Sequence, residues 1–181
     1  MSSILLVPVP PVDRKLLQTL LHPLGAAFGI PVSLYPRDRI DPTRAYDPLR
    51  NQYNSTEVLS SVLEQFGGNS NKVLGVTSVD LFVPVLTFVF GEAQLDGTAA
   101  LVSTFRLDDS FYGLAPNQQR HEERLIKEAV HELGHTFGLI HCHDYNCVMH
   151  SSTSVEEIDV KGMEFCGKCK ESLRPHRTDR P

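Results

Sequence analysis

The sequence predicts an α/β fold of the α+β kind: a mixed, mostly parallel, twisted five-stranded sheet with helices packed on it. Two observations point there. Strand-like and helix-like segments alternate through residues 4–79, and a pair of strand-like segments joined by a turn, residues 86–107, comes next. A long amphipathic segment then supplies a helix to cover the sheet.

The elements follow in order. Residues 4–9 form a short β-branched run, read as the first strand. Residues 12–28 place Leu16, Leu17, Leu20, Leu21 and Leu24 at helical spacing. Residues 30–35 read as a second strand, and a loop rich in Pro, Asp and Arg runs on to Tyr53. Asn54 or Ser55 can cap a helix through Phe66, with Val58, Leu59, Val62 and Leu63 on one face and Gly67 and Gly68 ending it. Residues 72–79 are the third strand. Residues 86–95 and 98–107 are the fourth and fifth, antiparallel, because the Asp96-Gly97 pair between them favours a two-residue type I′ turn.

From Asn117, an N-cap, a helix is expected through Phe137. Its stripe of Ile126, Val130, Leu133 and Phe137 should face the sheet. Beyond Gly138 the chain is rich in His, Cys and small polar residues, so a smaller lobe without an apolar core is expected. The 181 residues thus read as one domain, 1–181, divided into subdomains 1–138 and 139–181.

Composition narrows the function. A net charge of -5 gives no general attraction to phosphate backbones, so nucleic acid is not expected as a partner; only residues 170–180 are locally basic. The longest apolar stretch, residues 73–90, is interrupted by Thr77, Ser78, Asp80 and Pro84, too early to span a bilayer. The apolar segment 4–12 lacks preceding basic residues and carries Pro8, Pro10 and Pro11, unlike a secretory signal. A cytoplasmic monomer acting on a peptide or protein, with no membrane partner, is expected.

Residues 131–141 read HELGHTFGLIH. On a helix His131 and His135 lie one turn apart and about 40° around the axis, so both imidazoles can reach one ion. They sit about 140° and 180° from Ile126, on the side opposite the apolar stripe and toward a cleft. His141 would lie about 9 Å further along if the helix continued, so the chain must turn back. Gly138 is where it can, since glycine takes the left-handed conformation that ends helices. Three neutral imidazoles leave the fourth position of Zn²⁺ open for water, the pattern of a catalytic site. Glu132, beside the first ligand but not needed as one, is placed to act as general base. A single helix histidine is usually a core residue, but chance placement of all five residues in this composition is about 6 in 100,000.

Cys142 and Cys147, separated by four residues, and Cys166 and Cys169, separated by two, suit two thiolate pairs on one tetrahedral ion. Four thiolates close the shell, which makes this a structural zinc; an iron-sulfur cluster and disulfides are the alternatives.

With HExxHxxGxxH followed by Cys142, Cys147, Met149 and the Cys166-x-x-Cys169 pair, the chain resembles the archaemetzincins, a branch of the metzincin zinc proteases. The match is local, over residues 130–169, and the upstream order of elements looks like a metzincin N-terminal subdomain. The resemblance implies a zincin-like fold with an active-site helix and a small zinc-stabilised C-terminal subdomain. It also implies that His131, His135 and His141 bind catalytic zinc, that Glu132 is the base, and that Met149 forms the Met-turn beneath the metal. By the same analogy a peptide substrate lies along the strand at residues 86–95. Tyr145 does not match the position of the oxyanion tyrosine of some relatives and is expected only to pack, and His143 and His150 are expected to be solvated or structural. The reading is therefore a two-zinc metallopeptidase. The rival is an inactive peptide-binding module with a vestigial histidine site, against which Glu132 argues because a decayed site has no reason to keep it.

Overall fold

The computed structural model describes residues 3–68 and 71–177. The first strand, β1 (Ile4–Pro8), is almost wholly buried. The helix α1 (Arg14–Phe28) starts where the Asp13 side chain accepts the Lys15 N–H and ends at Gly29, leaving Leu17, Leu20, Leu24 and Phe28 buried. Next comes β2 (Val32–Leu34). The expected long loop contains more structure than its composition suggested: a 3-10 turn (Pro42–Ala45) and the short strands β3 (Tyr46–Asp47) and β4 (Gln52–Asn54). Strands of two and three residues are too short to show a period, which is why they were illegible. Asn54 caps α2 (Ser55–Phe66) by accepting from Thr56 and Glu57 N–H groups. There follow β5 (Lys72–Thr77), β6 (Leu81–Phe82), β7 (Gly91–Ala93) and β8 (Ala99–Ser103).

The main sheet has the five expected strands in the order β2-β1-β5-β8-β7. Four run parallel and β7 is an antiparallel edge, with Leu6 opposite Leu74 and Leu74 opposite Ala100. A second sheet, β3-β4-β6, lies apart from it.

The strand pair at 86–107 is shorter than expected. Residues 86–90 run as an irregular wall touching β6 through a single bridge, Val89 to Leu81, and Phe105–Leu107 is a 3-10 turn. The connection is also longer than two residues. Only Asp96 has positive φ (52°), whereas a type I′ turn needs it at both central positions. The Gln94 side chain closes a wider loop by accepting the Thr98 and Ala99 N–H groups, each at 3.2 Å. The Asp96 N–H is spent elsewhere, on the His135 carbonyl at 2.9 Å.

That carbonyl belongs to α3 (Gln118–Thr136), capped by the Asn117 side chain on Arg120 N–H. The stripe of Ile126, Val130, Leu133 and Phe137 does not face the sheet squarely. Ile126 and Val130 line a cavity of about 430 Å³ with Pro23, Ala26 and Ala27 of α1, and Phe137 stacks on Phe28 at 4.9 Å. The sheet meets smaller residues displaced around the axis: Ala129 is fully buried in the core with Ala100 and Val102, and Thr136 is fully buried with its carbonyl held by Lys72 of β5 at 2.6 Å. Small side chains let helix and sheet approach closely, and the larger apolar residues fill the wider gap toward α1.

After α3 the described residues contain no strand, only α4 (Val155–Val160) and α5 (Gly167–Arg177). This region is not coreless. Val148, Met149, Val155, Ile158, Phe165 and Leu173 join the same apolar cluster as α1 and α3, and Phe165 meets Phe28 edge-on at 5.5 Å. Buried charges complete the attachment. Arg124 binds both Asp159 oxygens at 2.7 Å and Asp109 at 2.8 Å, Lys127 caps α4 through the Ile158 and Asp159 carbonyls, and Lys161 pairs with Glu128 at 2.7 Å. Of the basic tail, residues 178–181 lie outside the described residues. Among those described, no helix is long and apolar enough to cross a membrane.

Candidate metal centres and active-site cleft

The face of α3 turned from the sheet and α1 carries His131, nine-tenths buried or more, and half-buried His135. Gly138, at φ 82°, turns the chain back as its spacing predicted, and its N–H closes on the His135 carbonyl at 2.9 Å. The turn returns His141 to the pair: ligand atoms of all three histidines lie within 4.8 Å of one another. The Nε2 atoms of His131 and His135 are 3.2 Å apart. Tetrahedral zinc with Zn–N near 2.05 Å puts adjacent nitrogens about 3.3 Å apart, so the spacing fits the ion.

The tautomers fit as well. His131 Nδ1 donates to the Val148 carbonyl at 2.9 Å and His135 Nδ1 to the Leu139 carbonyl at 2.7 Å. A carbonyl only accepts, so each Nδ1 carries the proton and each Nε2 presents a lone pair. Burial, with Lys161 adding to it, pushes His131 well below its ordinary pKa, and burial lowers His135 and His141 too. Neutral imidazole is the form that binds a metal.

Glu132 lies on the sheet side of the same turn, against β7. A side chain at Gly91 would put its first carbon 2.6 Å from Glu132 Cγ and 2.8 Å from Oε1, so only glycine leaves room for this carboxylate. Burial first, then Glu128 and Glu92, raise the Glu132 carboxyl well above the usual range, with Lys161 opposing. It opens with His131 and His141 onto a cleft of about 290 Å³, walled on one side by residues 86–91 and on the other by 151–153. Beneath, Met149 is fully buried with its sulfur 2.5 Å from where a Gly134 Cβ would stand.

The four cysteines gather with their sulfurs within 4.8 Å of one another. Cys142 and Cys166 sulfurs are 3.8 Å apart, those of Cys147 and Cys169 3.7 Å. Zn–S bonds of 2.3 Å in a tetrahedron set sulfurs about 3.8 Å apart, whereas a disulfide bond would be about 2.05 Å. The Cys169 N–H at the start of α5 lowers the Cys166 thiol to about 7, while burial raises Cys147 and Cys169. A bound cation would overcome that cost by binding all four as thiolates.

Comparison with known proteins bears on this pair of centres. The sequence profile of Peptidase family M54 matches residues 42–175. An archaemetzincin of Methanocaldococcus jannaschii is 42% identical over 167 residues, covering 92% of this chain and 90% of that one. The chain belongs to the archaemetzincins. Among solved structures, an archaemetzincin from Methanopyrus kandleri superposes with a TM-score of 0.83 at 37% identity, covering 96% of this chain and 94% of its own. A zinc-dependent peptidase from Methanocorpusculum labreanum gives 0.83 at 32% identity, covering 94% and 99%. This archaemetzincin is accordingly a zinc metallopeptidase, and its histidine and cysteine clusters fit a catalytic and a structural zinc.

Of the residues singled out in the motif, the three histidines and four cysteines gather into two clusters, Glu132 shares the cleft with His131 and His141, Met149 packs on Gly134, and Gly138 has positive φ. His143 is exposed, Tyr145 packs its ring on His150 at 4.5 Å, and His150 donates from Nδ1 to the Cys142 carbonyl at 2.9 Å. Sequence reasoning missed Gly91, Gly134, Glu128 and Lys161. Gly134 carried a signal, since glycine within a helix costs about 1 kcal/mol against alanine and so asks for a packing reason. Glu128 lies one turn before Glu132 and carried a weaker one. Lys161, 2% exposed, is a lysine among polar residues in the sequence and carried none.

Proposed function

We propose that His131, His135 and His141 hold the catalytic zinc of this peptidase, that Glu132 is its general base, and that Cys142, Cys147, Cys166 and Cys169 hold a structural zinc. The observation that carries this is the convergence of one ligand nitrogen from each of three imidazoles, with the Nε2 lone pairs of His131 and His135 left free by their Nδ1 bonds, beside a carboxylate buried in the same cleft. Bound there, zinc supplies a Lewis acid that acidifies water and polarises a carbonyl oxygen.

The chain's own residues do the rest. A peptide lies extended along the wall at 86–91 and the edge strand β7, where backbone pairing takes many sequences. Glu132 removes a proton from the attacking water at a carboxylate oxygen and returns it to the leaving amide nitrogen. Its raised pKa favours the uptake, because a carboxyl buried among other carboxylates holds a proton readily. Met149 against Gly134 holds the floor as the Met-turn, and Gly138 marks the division between subdomains 1–138 and 139–181.

The net charge of -5 supports a monomer without nucleic-acid partners, and a reduced four-thiolate cluster supports a cytoplasmic setting. Membership in a peptidase family does not favour the inactive-module alternative.

Metal analysis alongside cleavage of a peptide library tests the assignment. The parent should carry two zinc ions, and His131→Ala with His135→Ala should carry one and cleave nothing. A double variant that keeps two zinc ions, or still cleaves, would refute it.

A further inference from the structure

Two of the three histidines are oriented directly, through Nδ1 bonds to the Val148 and Leu139 carbonyls. His141 is exposed, lies beyond the helix, and is the ligand most in need of outside support. Its support comes through the next peptide. The Cys142 N–H donates to the Met149 carbonyl at 2.9 Å, and the Cys142 carbonyl accepts from His150 Nδ1 at 2.9 Å. Both polar groups of Cys142 are thus held by the consecutive residues Met149 and His150, so the chain following His141 cannot swing.

His150 is itself fixed. Its N–H donates to the Cys147 carbonyl at 2.9 Å, and its carbonyl accepts from Lys161 Nζ at 3.2 Å. Lys161 is paired with Glu128 of α3 at 2.7 Å, and the ring of Tyr145 lies against the imidazole of His150 at 4.5 Å. The path Glu128, Lys161, His150, Cys142, His141 therefore starts on the helix that carries His131 and His135 and ends on the third ligand. It ties the loop ligand to the helix ligands by a route other than the ion.

We propose that His150 is a positioning residue for the third zinc ligand: its Nδ1–H, by holding the Cys142 carbonyl, keeps His141 aimed at the point where the other two imidazoles converge. The inference rests on the histidine site being the catalytic centre, and it gives the imidazole of His150 no contact with substrate. The group that matters is one N–H donor at the Nδ1 position. Asparagine places an amide N–H near that position, phenylalanine keeps the ring against Tyr145 without a donor, and alanine removes both.

The test is cobalt(II) titration of full-length protein whose cysteine site is kept zinc-loaded and whose histidine site has been emptied by chelator, read by the visible cobalt bands. His131→Ala, which should erase those bands, serves as control. His150→Ala and His150→Phe should bind cobalt at least about 10-fold more weakly than the parent, the range for loss of an outer hydrogen bond to a ligand, while His150→Asn should stay near the parent. At saturating metal all soluble His150 variants should recover turnover. The His150→Phe and His150→Asn pair decides the matter if the alanine variant is insoluble. Parent-like affinity in His150→Phe would overturn the proposal. So would a His150→Asn variant with parent-like affinity whose turnover stays low at saturating metal, which would make the imidazole a catalytic group. A parent without bands that His131→Ala erases would instead defeat the histidine-site reading on which the proposal stands.

Discussion

The chain up to Phe137 and the chain beyond it are held by different forces, although one apolar cluster runs through both. In the first region the backbone is satisfied strand to strand, and the buried residues are overwhelmingly Val, Leu, Ile and Ala, as across β1, β5 and β8. In the second, two helices and irregular chain are tied down by four sulfurs and by the buried charges of Arg124, Lys127, Glu128 and Lys161. The two regions meet on α3, buried on nearly every side over its C-terminal half. One helix thus packs by shape against the sheet and α1 and by specific polar bonds against the second region. The site forms where these two kinds of contact meet. A metal centre needs its ligands held within fractions of an ångström, and directional bonds do that better than apolar packing, which tolerates sliding.

The largest expected effect separates the regions outright. Cys166→Ser with Cys169→Ser should release a structural zinc whose binding is worth on the order of 10 kcal/mol, so the region after Gly138 should lose its order. Amide exchange should show protection lost around Val148 and Ile158 and kept in β1, β5 and β8. Equal loss in the sheet would show that the regions are one cooperative unit. Leu74→Ala, in the middle of β5 and fully buried in the apolar cluster that runs through both regions, should cost about 2–5 kcal/mol and speed exchange in both.

A smaller effect falls on the polar side. Arg124→Met leaves buried Asp109 with only the more exposed Arg120, and should cost about 3 kcal/mol. The loss should depend on pH with a definite sign. Arg124 first of all, by hydrogen bonding, lowers the Asp159 pKa in the folded protein. A depressed folded pKa contributes stability that is present above the unfolded value near 3.9 and lost as pH falls through the folded value. Denaturant titrations should therefore find the gap between Arg124→Met and the parent fully open at neutral pH and narrowing below about pH 4. A gap independent of pH would mean that Arg124 acts by packing alone.

The same contrast explains what the sequence disclosed. The three long helices were legible because each buries one face repeatedly, and a repeat leaves a period; the central strands β1, β5 and β8, buried on both faces, were legible as short continuous apolar runs. Both ligand sets were legible for another reason: metal binding demands particular residue types at particular spacings, and His131, Glu132, His135, His141 and the cysteine pairs have no cheaper explanation. What stayed hidden has neither a period nor a spacing. The turn at Asp96 is set by the His135 carbonyl, β3 and β4 are too short to alternate, and the partners Glu128 and Lys161 are 33 positions apart in the chain. Gly91 is required because Glu132 lies against it, a fact of tertiary approach alone.

The central claim is that α3 delivers two ligands and a proton carrier that is not a ligand. Glu132→Gln tests it most directly, since the amide keeps the shape of the carboxylate between Gly91 and the cleft but cannot take a proton. Zinc content and hydrolysis of a peptide that the parent cleaves should be measured on the same preparation. The prediction is two zinc ions per chain with hydrolysis reduced by about 10²–10⁴-fold. Parent-level hydrolysis, or loss of the catalytic zinc as complete as in His131→Ala, would contradict it.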